Sequence, residues 1–164
     1  MDQKPNALPW LGVSVLLIAL DQWTKWIAIS KLAYQQAVTV IPGFWNWTLT
    51  HNTGAAFSFL AHAGGWQHAF FICLAFAIST VLTVWLARTK PNDWRTALPL
   101  SLIIGGALGN VIDRFRFGYV IDFIQWYWHD HYWPVFNVAD SSIVVGAVAL
   151  ALFGLFARKD HPAH

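Results

Sequence analysis

Four long apolar stretches constrain the fold of this chain more than any other feature. They cover about residues 9–29, 67–87, 96–112 and 139–157. A helix needs about 20 largely apolar residues to cross the hydrocarbon core of a bilayer, and each stretch is close to that length. The sequence is only 11% charged, whereas a soluble domain carries about 25% charged residues. We therefore expect a mainly α-helical membrane protein, with residues 1–164 forming one integral membrane domain built as a bundle of four transmembrane helices.

Two segments between the spans have a different composition. Residues 30–66 include an uncharged stretch, residues 34–61, in which apolar and polar residues roughly alternate around Pro42-Gly43. Alternation with period two predicts short strands, and Pro-Gly predicts a turn between them. Residues 115–138 are rich in aromatic residues, and there we expect a mixture of strand, loop and interfacial helix. Both segments should lie at the membrane interface on the side opposite the two termini, the first of them rich in β-structure.

The distribution of basic residues predicts the orientation. Six of the ten Lys and Arg residues fall on the side that holds both termini and the loop between spans two and three: Lys4, Arg88, Lys90, Arg95, Arg158 and Lys159. Lys and Arg are in excess on the cytoplasmic side of membrane proteins, so both termini should be cytoplasmic. The net charge of +2 and the absence of a basic stripe give no indication of nucleic-acid binding.

The polar residues set into or beside the spans all fall towards the end of the bundle opposite the two termini. They are Asp21, Lys25, Asn52, Asn110, Asp113, Arg114, Asp122, Asn137 and Asp140. Ionisable groups at membrane depth are costly and by default indicate a functional site. Scattered structural ion pairs would not need to share one depth, so we expect these residues to form one polar site.

Several of these residues also have a structural interpretation. Asp21 and Lys25 are four residues apart and can pair on one helical face, which favours a structural role. Arg114 could anchor its helix at the interface or hold a carboxylate in its planar fork. Asn137 followed three residues later by Asp140 resembles a capping box with Asp in place of Glu.

Two other candidate chemistries are weakly supported. His129 and His131 flank Asp130, but two His at this spacing are poor evidence for a metal site without a third ligand. Ser141 and Ser142 would be nucleophiles only beside a base, and no Lys lies close to them on the periplasmic side of the fourth span.

Asp122 and Asp140 remain as the candidate reacting groups. Asp122 lies between apolar neighbours in VIDFI, where a carboxylate has no local backbone role. The segment between the two residues leaves and returns on the same side of the membrane, so they could meet. Two carboxylates close together split their proton affinities, leaving one acid and one base. Such a pair can hydrolyse a peptide bond by aspartic-protease chemistry.

Five motifs in order make the sequence similar to one known family. They are DQWTK at 21–25, HNTGAAFS at 51–58, GGALGNVIDR at 105–114, YVIDF at 119–123 and FNVADSSI at 136–143. The chain resembles the bacterial lipoprotein signal peptidases, the type II signal peptidases, over nearly its whole length. The resemblance implies an aspartyl endopeptidase of the bacterial inner membrane, with its active site at the periplasmic leaflet. Such an enzyme removes the signal peptide from a prolipoprotein, cleaving just before a Cys that already carries diacylglycerol.

The resemblance also implies roles for individual residues. Asp122 and Asp140 would be the catalytic dyad. The residues that would bind substrate or support the dyad are Asn52, Gly54, Asn110, Arg114, Asn137, Ala139, Asp21 and Lys25. No metal or organic cofactor is implied; the partners would be the lipidated prolipoprotein and membrane lipid, and we expect the enzyme to act as a monomer.

Two alternatives belong to other functional classes. A proton-coupled transporter could use Asp21, Asp113, Asp122 and Asp140 as a relay, although the polar cluster occupies only one side of the membrane. An accessory bundle within a larger membrane complex is the second alternative, and it would leave Asp122 unexplained.

Overall fold

The computed structural model describes residues 5–54 and 66–157. A 3-10 turn at Leu8–Trp10 precedes the first of four helices, which are α1 (Leu11–Lys31), α2 (Trp66–Ala87), α3 (Trp94–Phe117) and α4 (Val138–Ala157). Four strands lie between them: β1 (Ala37–Ile41), β2 (Trp45–Asn52), β3 (Val120–Trp128) and β4 (His131–Tyr132). All four helices are long and apolar enough to cross a membrane, which confirms the predicted four-helix membrane fold with a small sheet.

Helix α3 is the central element of the bundle. It packs against α1, α2 and α4, and eleven of its residues are buried, compared with three in α2. Asp93 caps its start by accepting a hydrogen bond from the Thr96 N–H at 3.3 Å. Gly118, with a φ of 83°, ends it in a left-handed conformation that glycine adopts without steric cost. The helix therefore continues five residues beyond the expected end of the third span at residue 112.

Close contact between α3 and α4 depends on small residues. A side chain at Gly106 would meet the Ala139 carbonyl oxygen and the Ser142 hydroxyl, each 2.4 Å from an added Cβ. An added Cβ at Gly109 would lie 2.8 Å from the Asp21 carboxylate. Such small residues let membrane helices approach closely, and here they bring the polar residues of α1, α3 and α4 together.

The strands form one antiparallel sheet in the order β1-β2-β3-β4. β1 and β2 pair as a hairpin whose turn includes Gly43 at a φ of 81°. The predicted strands around Pro42-Gly43 are therefore confirmed, while residues 55–61 of that stretch lie outside the described residues. β2 pairs with β3 so that Thr50 lies opposite Asp122, after a shift in register between Trp47 and Thr50.

The interfacial helix expected between the third and fourth spans does not form. Residues 118–137 contain strands, turns and extended chain. The backbone of β3 is instead satisfied by β2 on one edge and by Phe136, which bonds to Ile124 in both directions at 2.8 and 3.0 Å. The first four residues of β3 are all buried, so both faces of this part of the strand are covered.

The sheet is held against the bundle by the first half of β3. Ile121 and Phe123 are buried in an apolar cluster with Ala28 of α1 and Leu49 of β2, and Val138 of α4 packs against it. The second half of β3 is more exposed and carries aromatic side chains. β3 thus places Asp122 at the junction between the sheet and the helix bundle.

Candidate active site

The first turn of α4 is built as the sequence predicted. The Asn137 side-chain oxygen accepts a hydrogen bond from the Asp140 N–H at 2.8 Å, and the Asp140 carboxylate accepts one from the Asn137 N–H at 3.3 Å. This reciprocal pair is a capping box, and it fixes the direction of the Asp140 side chain. The position at the start of a helix also favours a negative charge there.

Asp122 on β3 is held by two amide side chains. Its Oδ1 accepts a hydrogen bond from Asn137 Nδ2 at 2.7 Å, and its Oδ2 accepts one from Asn52 Nδ2 at 3.0 Å. Only 1% of Asp122 is exposed. Burial raises the pKa of Asp122 to about 8, and the negative charge of Asp140 adds to this increase. Asn137 therefore contacts both aspartates: its amide nitrogen donates to the Asp122 carboxylate, its amide oxygen accepts the Asp140 N–H, and its own backbone N–H donates to the Asp140 carboxylate.

Asn110 of α3 contributes a third amide. Its Nδ2 donates to Asp140 Oδ1 at 2.8 Å, and its Oδ1 accepts from Asn137 Nδ2 at 3.2 Å. The Lys25 ammonium donates to the same Oδ1 at 3.0 Å. Asn110 thus joins α1, α3 and α4 beside the carboxylate of Asp140.

Lys25 lies between two carboxylates. Its Nζ is 2.8 Å from Asp21 Oδ2 and 2.7 Å from Asp113 Oδ2, so the predicted pair with Asp21 is confirmed and Asp113 is a second partner. Asp21 also accepts the Ala139 N–H at 3.0 Å, and Asp113 accepts the Ile121 N–H at 3.1 Å. The charged group therefore fixes the starts of both α4 and β3.

Arg114 binds carbonyl oxygens rather than a carboxylate. Its two terminal nitrogens donate to the Gly54 carbonyl at 3.0 Å and the Asn110 carbonyl at 3.4 Å, and its guanidinium carbon lies 5.1 Å from the centre of the Phe71 ring. Asn52 Oδ1 accepts the Gly54 N–H at 3.0 Å. Arg114 therefore secures the end of β2, from which Asn52 reaches Asp122.

A cavity of about 570 Å³ opens beside Asp140. The polar part of its lining includes Asn52, Asn110, Arg114 and Asp140, whereas Asp122 is not among the described lining residues. Its apolar walls come from the fourth helix and from the chain before it, and they include Phe136, Ile143, Val144 and Val145 together with Trp126. Val144 is 60% exposed, so this wall faces outward along the helix.

The ten residues expected to form the site fall into connected groups. Asn52, Gly54, Asn110, Arg114, Asp122, Asn137 and Asp140 are linked by direct hydrogen bonds, and Ala139, Asp21 and Lys25 join them through the contacts above. The two His of the HDH segment are exposed, and His129 has a φ of 53° in the turn after β3. Within residues 5–54 and 66–157, no three His, Cys, Asp or Glu side chains are grouped as a metal site.

Sequence reasoning missed Gln22, and it placed Asp113 in the polar cluster without assigning it a role in the protease site. Gln22 Nε2 donates to Asp113 Oδ1 at 2.8 Å and lies 3.2 Å from the Gly109 carbonyl. Gln22 lies within the motif DQWTK, and Asp113 is three residues after Asn110, so each had a local signal. Their contacts join different helices, which spacing along one helix does not reveal.

Comparisons with known proteins agree with this architecture. The family model of signal peptidase (SPase) II matches residues 13–156. Among curated proteins, the lipoprotein signal peptidase of Xanthomonas campestris pv. campestris (strain 8004) is 58% identical over 97% of this chain and 96% of its own length. That of Xylella fastidiosa (strain 9a5c) is 58% identical over 96% of this chain and 95% of its own.

Two solved structures of bacterial membrane enzymes, both determined by the in meso method, share the fold. One, at 2.3 Å resolution, has a TM-score of 0.85 and 30% identity, covering 100% of this chain and 98% of its own. The other, at 1.9 Å resolution, has a TM-score of 0.77 and 31% identity, covering 94% of this chain and 97% of its own. With five motifs in order, a family match over most of its length and a shared fold, the chain belongs to the signal peptidase II family of membrane proteases.

Proposed function

We propose that this protease removes the signal peptide from diacylglyceryl-modified prolipoproteins by cleaving just before the lipidated Cys, with Asp122 and Asp140 as its reacting pair. One observation carries the proposal. The amide of Asn137 binds Asp122 while the same residue forms a capping box with Asp140. Two carboxylates held by one buried residue are suited to act as an acid–base pair in peptide hydrolysis. The family gives no support to a transporter or an accessory bundle.

The environments of the two carboxylates support different roles. Asp140 lines the cavity and starts a helix, so its ionised form suits a base in contact with water and substrate. Asp122 lies behind it, and its raised pKa of about 8 keeps it protonated at neutral pH. It is therefore the proton donor of the pair.

The reaction follows from these roles. Asp140 takes a proton from a water molecule as the water oxygen attacks the scissile carbonyl carbon, and Asp122 gives its proton to the carbonyl oxygen. When the resulting diol collapses, the C–N bond breaks and the proton held by Asp140 moves to the amine of the lipidated Cys. One hydroxyl group of the diol gives its proton back to Asp122 as the new carboxyl group forms, which restores both side chains.

The position of the cavity supports a lipidated substrate. Its apolar wall is formed by Ile143, Val144 and Val145 on a helix long and apolar enough to lie in the membrane. A signal peptide is itself a membrane helix, so it and the two acyl chains can reach this wall without leaving the bilayer. Substrate choice then depends on the lipid and on small residues before the Cys.

The remaining site residues support the reacting pair. Asn52, Asn110 and Asn137 donate to the carboxylates, and Arg114 with Gly54 fixes the end of β2. Asp21, Lys25 and Ala139 hold the start of α4. Every one of these groups comes from a single chain, which favours action as a monomer, with no metal or organic cofactor required by this chemistry.

The proposed orientation places this site at the periplasmic leaflet of the bacterial inner membrane. Both termini and the loop between α2 and α3 would be cytoplasmic, as expected from the basic residues of that side. Of those residues, Lys4, Arg158 and Lys159 lie outside the described part of the chain. The sheet and Asp130 would then face the periplasm.

Topology reporters test this orientation. Because positive charge is retained in the cytoplasm, a reporter fused after Pro91 should behave as cytoplasmic and one fused at Asp130 as periplasmic. The paired measurement is alkaline phosphatase and green fluorescent protein activity of each fusion. Phosphatase activity after Pro91 would contradict the orientation.

Replacement of Arg114 by Lys tests the guanidinium contacts. Lys cannot reach two carbonyl oxygens from one planar group, so Arg114→Lys should lower kcat/KM about tenfold or more, with normal membrane insertion. Arg116→Lys is the matched control, because Arg116 is exposed. Its hydrogen bond to Gln22 is long, at 3.4 Å, and its guanidinium otherwise lies over the Phe117 ring. Equal activity of the two variants would remove Arg114 from the site.

Replacement of the two carboxylates tests the mechanism. Asn preserves size and polarity but cannot exchange a proton, so Asp122→Asn and Asp140→Asn should each lower kcat by about a thousandfold or more. The double variant should be little worse than either, because the pair acts as a unit. The measurement is release of signal peptide from a purified diacylglyceryl-Cys substrate, with helicity confirmed by circular dichroism.

Two other Asp residues are the controls for this experiment. Asp130 is exposed and Asp113 binds Lys25 rather than Asp122 or Asp140, so Asp130→Asn and Asp113→Asn should lose less activity. Substantial turnover by either single variant at 122 or 140 would exclude the aspartyl mechanism.

The pH dependence of cleavage should be bell-shaped. The pKa of Asp122 is raised to about 8, so its proton is present below that pH and lost above it. If Asp122 donates that proton, kcat/KM should fall as pH rises through about 8, and it should also fall at low pH, where the base becomes neutral. The check is kcat/KM between pH 4 and about 10 on a substrate without groups that titrate near 8. Activity that stays constant or increases above pH 8 would assign the proton to another group.

A further inference from the structure

Lys25 uses all of its hydrogen-bonding capacity inside the protein. An ammonium group has three N–H donors and no acceptor, and here the three acceptors are Asp21 Oδ2, Asp113 Oδ2 and Asn110 Oδ1 at 2.8, 2.7 and 3.0 Å. Lys25 is 2% exposed. One carboxylate would be enough to neutralise it, so the contact with a neutral amide needs a separate explanation.

That third contact, at 3.0 Å, is the shorter of two hydrogen bonds that determine which way the Asn110 amide faces; the other is from Asn137 Nδ2 to the same oxygen at 3.2 Å. Lys25 can only donate, so the group beside it must be the amide oxygen. The amide nitrogen then faces the opposite way, where it donates to Asp140 Oδ1 at 2.8 Å. A rotation of the amide by half a turn would place N–H against the ammonium and oxygen against the carboxylate, and both contacts would be repulsive.

The same charged group reaches Asp140 by a second route. Asp21, the ion-pair partner of Lys25, accepts the N–H of Ala139 at 3.0 Å, and Ala139 immediately precedes Asp140. Among the described residues, the salt bridges are those that Lys25 makes with Asp21 and Asp113. The charges buried at this junction are therefore arranged around the start of α4.

We propose that Lys25 is a positioning residue for cleavage: through its third hydrogen bond it fixes the orientation of the Asn110 amide and so keeps an N–H donor on Asp140. The proposal rests on the proposed function, because Asp140 must be the base for its hydrogen bonds to matter in the reaction. Lys25 thus has two roles: it positions Asn110, and as the ion-pair partner of Asp21 and Asp113 it holds α1 to α3.

A charge-balanced pair of variants separates the two tasks. Lys25→Met removes all three donors at similar size and leaves Asp21 and Asp113 with two uncompensated charges. Lys25→Met combined with Asp113→Asn returns the group to its original net charge of −1 and keeps Asp21 on the Ala139 N–H. If Lys25 served packing and charge balance alone, this double variant would recover stability and would be as active as Asp113→Asn alone, which is the control for the contact of residue 113 with the Ile121 N–H.

The expected result is recovery of stability without recovery of turnover. Lys25→Met should lower the thermal unfolding midpoint in detergent, and adding Asp113→Asn should restore most of it. In both proteins kcat should remain about 10- to 100-fold low, the effect of losing one hydrogen bond to an ionised group. KM should stay within about threefold of wild type, since the substrate-lining residues are untouched. Recovery of kcat together with the unfolding midpoint would overturn the proposal.

A double-mutant cycle tests whether Lys25 acts through Asn110. Once Asn110→Ala has removed the amide, Lys25→Met should lower kcat by less than about threefold further, because coupled residues are not additive. If the fold losses of kcat in the two single variants instead multiply in the double variant, Lys25 does not act through Asn110. If wild-type protein cleaves the lipidated substrate and Lys25→Met has a normal kcat, the positioning role of Lys25 is wrong but the proposed function stands. If wild-type protein does not cleave that substrate, the proposed function is wrong and this role with it.

Discussion

The rest of the site depends on the hydrogen bonds of the Asn137 side chain. It is fully buried, and its amide nitrogen lies within hydrogen-bonding distance of Asp122, Asn110 and the Ile121 carbonyl. Its oxygen meanwhile caps α4 at Asp140. A buried carboxylate without partners is costly, so the sheet and the bundle can bring two carboxylates together only if amides of this kind separate and satisfy them.

The close approach of the helices makes this arrangement sterically possible. Gly106 and Gly109 leave no side chain between α3 and the start of α4, and Ala139 fills the remaining space with a single methyl group. Glycine in a helix costs conformational entropy, which is offset where it lets polar groups from three helices meet. The small residues at this helix contact therefore make the polar cluster possible.

Much of this architecture could be predicted from local patterns. Helical spacing gave the pair of Asp21 with Lys25, and the capping pattern gave the contact of Asn137 with Asp140, because both depend on residues three or four apart. The partners of Arg114 could not be predicted in the same way. Its carbonyl acceptor at Gly54 is 60 residues away, and only the register of β2 on β3 brings the two together.

The aromatic segment before α4 shows the same limit. Its composition suits an interfacial helix as well as a strand, and no local signal decides between them. Pairing with β2 and the bonds of Ile124 to Phe136 decide for the strand. The composition of Val120–Trp128 therefore predicts a strand only when the partner strand is known.

The hydrogen bond between Asp21 and the Ala139 N–H joins residues 118 positions apart, so it can form only late in biosynthesis. The chain emerges from the ribosome with α1 first, so Asp21 and Lys25 enter the membrane long before α4 exists. Until the last helix inserts, the nascent chain contains Asp122 without Asp140. The proposed reacting pair is therefore complete only after α4 has been made and inserted, and a nascent chain that ends before α4 lacks the proposed base.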